Sequence, residues 1–155
     1  MAPIFDSHFY PSSYGYRVWR SSHQAISKAM LFIRSYNKRH GVDMELSKCF
    51  DTLDHELILK FVRKRITDGS FLNLIKQFLN SGVMIGSMLE NIEIGSPQGG
   101  VINPLLSNIY LDEFDQEMMR RQHRIVRYAD VFTNYIELNG AFYVIFSCIF
   151  YTSWN

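Results

Sequence analysis

Asp43 and Glu45, one residue apart in VDMEL, and Asp130, in RYADVF, are the acids whose type and spacing could do chemistry in this 155-residue chain. In a strand, side chains two residues apart share a face, so Asp43 and Glu45 would point the same way. A third carboxylate on a tight turn opposite them would complete an oxygen-rich site for a divalent cation. Hard cations such as Mg²⁺ take oxygen ligands and borrow the remainder from water and substrate phosphates. Two such ions clamp the attacking and leaving oxygens of an in-line displacement. A plainer reading competes: acids near a helix start usually cap it or complement its dipole. A second candidate is SPQGG, where Gly99 and Gly100 let backbone approach a ligand and Gln98 can hydrogen-bond a base or sugar. A turn leading into a helix explains that cluster equally.

The elements that must position these residues can be read from periodicity. Ser21 and Ser22 can cap a helix whose apolar positions Ala25, Ile26, Ala29, Met30 and Ile33 recur at helical spacing, ending near His40-Gly41. VDMELSKCF reads as a strand. Asp54 begins a helix with Leu57, Ile58, Phe61, Val62 and Ile66 on one face and Lys60, Arg63, Lys64 and Arg65 on the other; Ser70 caps another, carrying Phe71, Leu74, Ile75, Phe78 and Leu79. GVMIGSMLENIEIG predicts a hairpin, a further helix runs from about Asn103 to Arg120, and RIVRY and VFTNYIEL form two strands meeting at Ala129-Asp130. The opening residues are read as loop with room for one short strand. The order predicts an α+β domain, with helices on one side of a small antiparallel sheet.

Composition sets the limits. At 47% hydrophobic residues the chain supports one compact core. Cys49 and Cys148 lie far apart without metal-ligand spacing, which makes a reducing compartment the default. The net charge of +1 hides segregation. Up to His40, Arg17, Arg20, Lys28, Arg34, Lys38 and Arg39 face only Asp6, whereas Asp43, Glu45, Asp51, Asp54 and Glu56 face only Lys48. From Val131 onward the sole charged side chain is Glu137, and AFYVIFSCIFY is apolar. That run is shorter than the roughly 20 residues a membrane span requires, so no membrane span is expected.

Longer motifs carry a specific resemblance. GSPQGGVINPLLSNIYLDEFDQEM resembles the stretch after the first palm strand in reverse transcriptases of the group II intron maturase family, G-x-P-Q-G-G-x-x-S-P-L-L-x-N-I-x-L. ELSKCFDTLDH resembles that family's first catalytic motif, D-I-x-x-C-F-D-x-I-D-H; YGYRVWRSSHQAI resembles its fingers motif; RYAD resembles the start of R-Y-A-D-D-F. The resemblance runs from about Tyr14 to Asp130 in the family's order.

It implies a right-hand polymerase fingers-palm fragment, with residues 1–41 derived from fingers, 42–130 from palm and 131–155 a divergent apolar tail, the thumb and maturase segment being unrecognisable. Implied partners are an RNA template or intron RNA, a DNA primer and deoxynucleotide triphosphates. Implied metal ligands for Mg²⁺ are Glu45 and Asp130, with Asp43 as a possible substitute. Arg17 and Arg20 would hold template or triphosphate, Phe50 would pack against the sugar, and Pro97, Gln98 and Gly99 would line the nucleotide and template pocket. The family occurs in bacteria and organelles, which implies a bacterial cytoplasm, a mitochondrion or a plastid.

The chain departs from the pattern twice. Val131 stands where the family has a second aspartate, and Glu45 stands where it has its first catalytic aspartate. A glutamate carries its carboxylate about 1.5 Å further from the backbone, and a misplacement of about 1 Å costs on the order of 10²-fold in rate. Negligible synthesis by this chain alone is therefore expected. Beyond Asp130 the abrupt loss of resemblance suggests a shift of reading frame, which the gene's DNA tests: the missing motifs would reappear in another frame. From a different class, an RNA-binding module without catalysis would use the basic N-terminal region, with Tyr14, Tyr16 and Trp19 for stacking. A degenerate remnant without function is the third expectation.

Overall fold

The computed structural model describes residues 1–36, 40–46, 53–80, 83–85, 88–90 and 100–136. Its elements are α1 (Ala2–Asp6), α2 (Ser22–Ser35), β1 (His40–Glu45), α3 (His55–Arg63), α4 (Gly69–Leu79), β2 (Val83–Ile85), β3 (Met88–Glu90), α5 (Asn103–Arg120), β4 (Arg124–Tyr128) and β5 (Val131–Ile136). β2 and β3 form an antiparallel pair, and β1, β5 and β4 form a three-stranded sheet in that order. Both pairings in the larger sheet are antiparallel. Its central strand is thus built from Val131–Ile136, the first residues of the stretch expected to be tail.

Local chemistry sets the helix starts. Ser21 accepts from the Gln24 amide while the Gln24 side chain accepts from the Ser21 amide, a reciprocal capping box. Asp54 caps α3 through the Leu57 amide at 2.9 Å. Asp68, not the expected Ser70, caps α4, because its carboxylate accepts from the amides of Ser70 and Phe71 together. Each such cap is worth about 1 kcal/mol. α5 begins with Pro104 in its first turn, where the missing amide proton has no intrahelical partner to lose. The opening residues are not all loop: α1 is a five-residue helix with proline near its start.

The sheet is flanked on both faces rather than one. Paired residues of antiparallel strands share a face, so Ile125, Arg127, Phe132 and Asn134 lie on one side and Val126, Tyr128, Val131, Thr133, Asp43 and Glu45 on the other. The first side packs on α5, where Phe114 meets Phe132 edge to face at 5.0 Å. Together with α3, α4 and the α1 region it makes the main core. α2 covers the second side at its far end, where Ala25 and Phe32 close over Val126 with Tyr14 beside them. Of the apolar face expected for α2, Ile26, Met30 and Ile33 are exposed. The two alanines lie toward the sheet, and Phe32 fills the gap instead. The near end of that second side, bearing Asp43 and Glu45, is open: both residues are exposed.

Candidate active site

The sheet brings the three sequence-predicted acids to one end. Asp43 lies opposite Thr133 and Glu45 opposite Val131. The Leu46 amide donates to the Asp130 carbonyl at 3.3 Å, which carries the pairing up to the turn. Asp130 is half-buried on the two-residue turn joining β4 to β5, next to the position facing Glu45. Asp43 is engaged, since its Oδ1 accepts from the Thr133 hydroxyl at 2.7 Å. Among the described residues no group of three His, Cys, Asp or Glu side chains is close enough to hold a metal ion. Val131, 43% exposed, lies directly opposite Glu45.

The turn owes its shape to a buried support that sequence reasoning missed. Ala129 has φ 58° whereas Asp130 does not enter the positive-φ region, the pattern of a type II′ hairpin turn. An alanine there is strained and persists only where its surroundings fix it. Arg127, fully buried, supplies that fixing: its Nη1 donates to the Ala129 carbonyl at 2.9 Å and to Asn108 Oδ1 at 2.7 Å. Its Nε donates to Asp115 Oδ2 at 2.7 Å. Nη2 approaches the same oxygen without hydrogen-bond alignment, leaving Asp115 Oδ1 without a hydrogen-bond partner. Asn108 in turn donates to the Gly15 carbonyl at 3.0 Å. The Arg127 backbone bonds Ser12 and Tyr14, so the N-terminal segment lies along the free edge of β4. The available signal was an arginine at an inward position of the apolar strand RIVRY, with Asn108 and Asp115 two helical turns apart on one face of α5.

Gly15 shows how tightly this assembly closes. A Cβ built on it would overlap the backbone nitrogen of Ala129 and lie 2.8 Å from its Cα. Neither atom can rotate away, so the turn carrying Asp130 would have to move. Gly15→Ala is expected to lower stability by about 1–3 kcal/mol, the usual cost of overpacking, in a denaturant melt.

Burial raises the Asp115 carboxyl to about 6, with Arg127 pulling the other way. Below about pH 4 both folded and unfolded chains hold this proton; between about 4 and 6 only the folded one does. Stability from this group is therefore greatest in acid and declines as pH rises through that window. The melting temperature of the native chain relative to Asp115→Asn is expected to fall from pH 4 to pH 6 and then level off.

The two arginines differ. Arg17 is enclosed, its side chain 3% exposed, and donates to Asp6 Oδ1 at 2.7 Å and to the carbonyls of Asp6, Tyr10 and Ser13. These bonds hold the N-terminal loops together and leave it little to offer a substrate. Arg20 is half-buried, lies over the Tyr14 ring at 5.5 Å and donates to the Pro11 carbonyl at 3.2 Å. Tyr14 is buried and so not free to stack, whereas Tyr16 and Trp19 are exposed, Trp19 at 92%, both at positive φ. Phe50, Pro97, Gln98 and Gly99 lie outside the described residues.

A model of the family described as reverse transcriptase (RNA-dependent DNA polymerase) matches residues 1–141. The chain belongs to the reverse transcriptase family. Protein YkfC of Escherichia coli K12 is 41% identical over 124 residues, which cover 78% of this chain and 32% of YkfC. The group II intron-encoded protein LtrA of Lactococcus lactis subsp. cremoris is 31% identical over 125 residues, covering 80% of this chain and 20% of LtrA. The chain thus spans a third or less of these relatives, and it is a reverse transcriptase segment of the group II intron type. A structure of apo telomerase from Candida tropicalis, truncated from its C-terminal domain, superposes with a TM-score of 0.62 at 9% identity, over 83% of this chain and 30% of that one. That likeness shows the shared fold. Among the described residues no helix is long and apolar enough to cross a membrane.

Proposed function

We propose that this chain supplies fingers and palm for RNA-templated DNA synthesis, with Glu45 and Asp130 as the Mg²⁺ ligands and Asp43 as a reserve held by Thr133. The observation that carries the reading is the register of β1 against β5, which sets Glu45 opposite Val131 at the end of the sheet where Asp130 turns. The donor set fits a single ion completed by substrate phosphates, since Mg²⁺ sites often use one or two carboxylates and several borrowed oxygens. It does not fit a preformed two-ion clamp. When bound, the ion would neutralise charge on the nucleotide phosphates. The chain's own part is positioning: Arg127 and Gly15 fix the turn, and Thr133 restrains Asp43.

RNA template or intron RNA, DNA primer and deoxynucleotide triphosphates are the partners on this reading, with Arg20 on the nucleotide or template and Phe50, Pro97, Gln98 and Gly99 completing the pocket. The bacterial sources of YkfC and LtrA favour a bacterial compartment, and an organelle fits the same family. A second reading, RNA binding without synthesis, is supported by the exposure of Trp19 and Tyr16 beside Arg20.

Binding of a DNA primer annealed to an RNA template tests the reading, by anisotropy across a salt titration. Affinity that falls steeply with salt, with at most trace Mg²⁺-dependent extension by the native chain and none by Asp130→Asn, is the expected result. Failure to bind the hybrid at low salt contradicts it. Binding with no extension even when Glu45→Asp and Val131→Asp are combined favours the second reading.

A further inference from the structure

A cleft of about 450 Å³ opens on the side of the molecule away from Asp43 and Glu45, between the α1 region, α3 and α5. That is the size range of small-ligand sites. Its floor is aromatic and aliphatic, with Phe9, Phe61 and Ile109; its wall holds Asp112 and Gln116 of α5; its mouth carries His8 and Arg65. The polar wall is incompletely satisfied. Asp112 Oδ1 accepts from the Tyr10 amide at 2.8 Å, but Oδ2 has only a long contact of 3.5 Å from Gln116 Nε2. Desolvation correspondingly pushes the Asp112 carboxyl upward. An acceptor that is half removed from water and short of a donor is suited to a ligand amine.

The lining holds Lys64 and Arg65 with Asp112 and Glu113, and the outer face of α3 beside it is basic. Residues 60–65 are KFVRKR, and Lys60, Arg63, Lys64 and Arg65 are all exposed. Lys64 pairs with Glu113. Among the described residues no carboxylate pairs with Lys60, Arg63 or Arg65. Lys60 lies one helical turn from Lys64 on the same face of α3, next to the lining residues Lys64 and Arg65. An occupant that satisfies both parts has an aromatic ring bearing an amine and carries phosphates outside.

We propose that this cleft binds one unstacked nucleotide of single-stranded RNA, its base seated against the apolar floor of Phe9, Phe61 and Ile109 with an exocyclic amine on Asp112, and its flanking phosphates on Lys60 and Arg65. The proposal rests on the reading of the chain as an RNA-handling palm, but it places RNA on the face opposite the acids. It gives an RNA-bound chain a second hold that leaves the polymerising face free. A cytidine and a uridine have similar shape, and only cytidine offers an exocyclic amine donor, so the site prefers cytidine.

The test compares fluorescein-labelled octamers of oligocytidylate, oligouridylate and an abasic phosphodiester, binding to the native chain and to variants, by anisotropy. Oligocytidylate is expected to bind about tenfold more tightly than the abasic octamer and more tightly than oligouridylate. Lys60→Glu with Arg65→Glu should weaken it about tenfold and reduce the salt slope by about 1.4, at roughly 0.7 per phosphate contact on a single strand. His8→Trp, which blocks the mouth from an exposed position, should bring oligocytidylate down to the abasic level. Circular dichroism confirms that each variant is folded. Equal affinity for cytidylate and abasic octamers overturns the base pocket. Unchanged binding in the α3 double variant with loss in Arg20→Glu overturns the site while leaving the proposed function standing.

Discussion

Replacing Val131 by aspartate and Glu45 by aspartate is expected to raise the rate of Mg²⁺-dependent primer extension on an RNA template by about 10²–10³-fold. The register explains the size of the effect. Val131 lies directly opposite Glu45 and is 43% exposed, so an aspartate there points into the same open end of the sheet without disturbing the core. Phosphoryl transfer gains most from charges fixed before the reaction, and removing one such group typically costs about 10²–10³. Shortening Glu45 draws its carboxylate back by about 1.5 Å, a displacement on the scale that costs about 10²-fold. The two changes act on one site and will not add simply. Gel-resolved extension by the native chain, both single variants and the double variant separates them. No gain in any variant places the defect elsewhere than in the carboxylates.

Arg127→Met is expected to destabilise the chain by about 3–5 kcal/mol, because a buried pair broken on one side leaves an uncompensated group. Arg127 and Asp115 are both fully buried, and Arg127 also bonds Asn108 and the Ala129 carbonyl. Its loss thus reaches past the ion pair to the turn that carries Asp130. The compensating variant, Arg127→Met with Asp115→Leu, is expected to recover most of the stability, since well-packed apolar replacements of buried pairs are often neutral or better. Urea melts of the four proteins give the cycle. If the double variant is stable but Asp130 no longer supports activity, the pair's role is to hold the turn. A drop below 1 kcal/mol in Arg127→Met contradicts the assigned support.

Much of the scaffold was legible because its signals are local. The α5 helix matches its predicted bounds, Asn103 to Arg120, and the hairpin of RIVRY with VFTNYI turns at Ala129-Asp130 as its alternation requires. The shared face of Asp43 and Glu45 follows from strand periodicity alone. What the residue pattern did not disclose depends on pairings distant in sequence. Arg17 looked like a substrate cation; its partners Asp6, Tyr10 and Ser13 are brought to it only by the folding of the N-terminal loops. Tyr14 looked available for stacking and is instead part of the packing beneath α2. The exposed Ile26, Met30 and Ile33 recur at the spacing of a core face, but Ala25 and Phe32 make the contact. Asp68 displaced Ser70 as a cap through a two-residue shift that competing side chains of similar preference leave undecided from sequence.

Titrating Mn²⁺, a paramagnetic stand-in for Mg²⁺, against the folded chain with nucleotide and primer–template present shows whether Glu45 and Asp130 form a cation site that Val131 weakens. The native chain is predicted to bind one ion weakly, Val131→Asp to bind about tenfold or more tightly, and Asp130→Asn to lose the site, all by electron paramagnetic resonance. Indistinguishable Mn²⁺ binding in the three proteins contradicts the account.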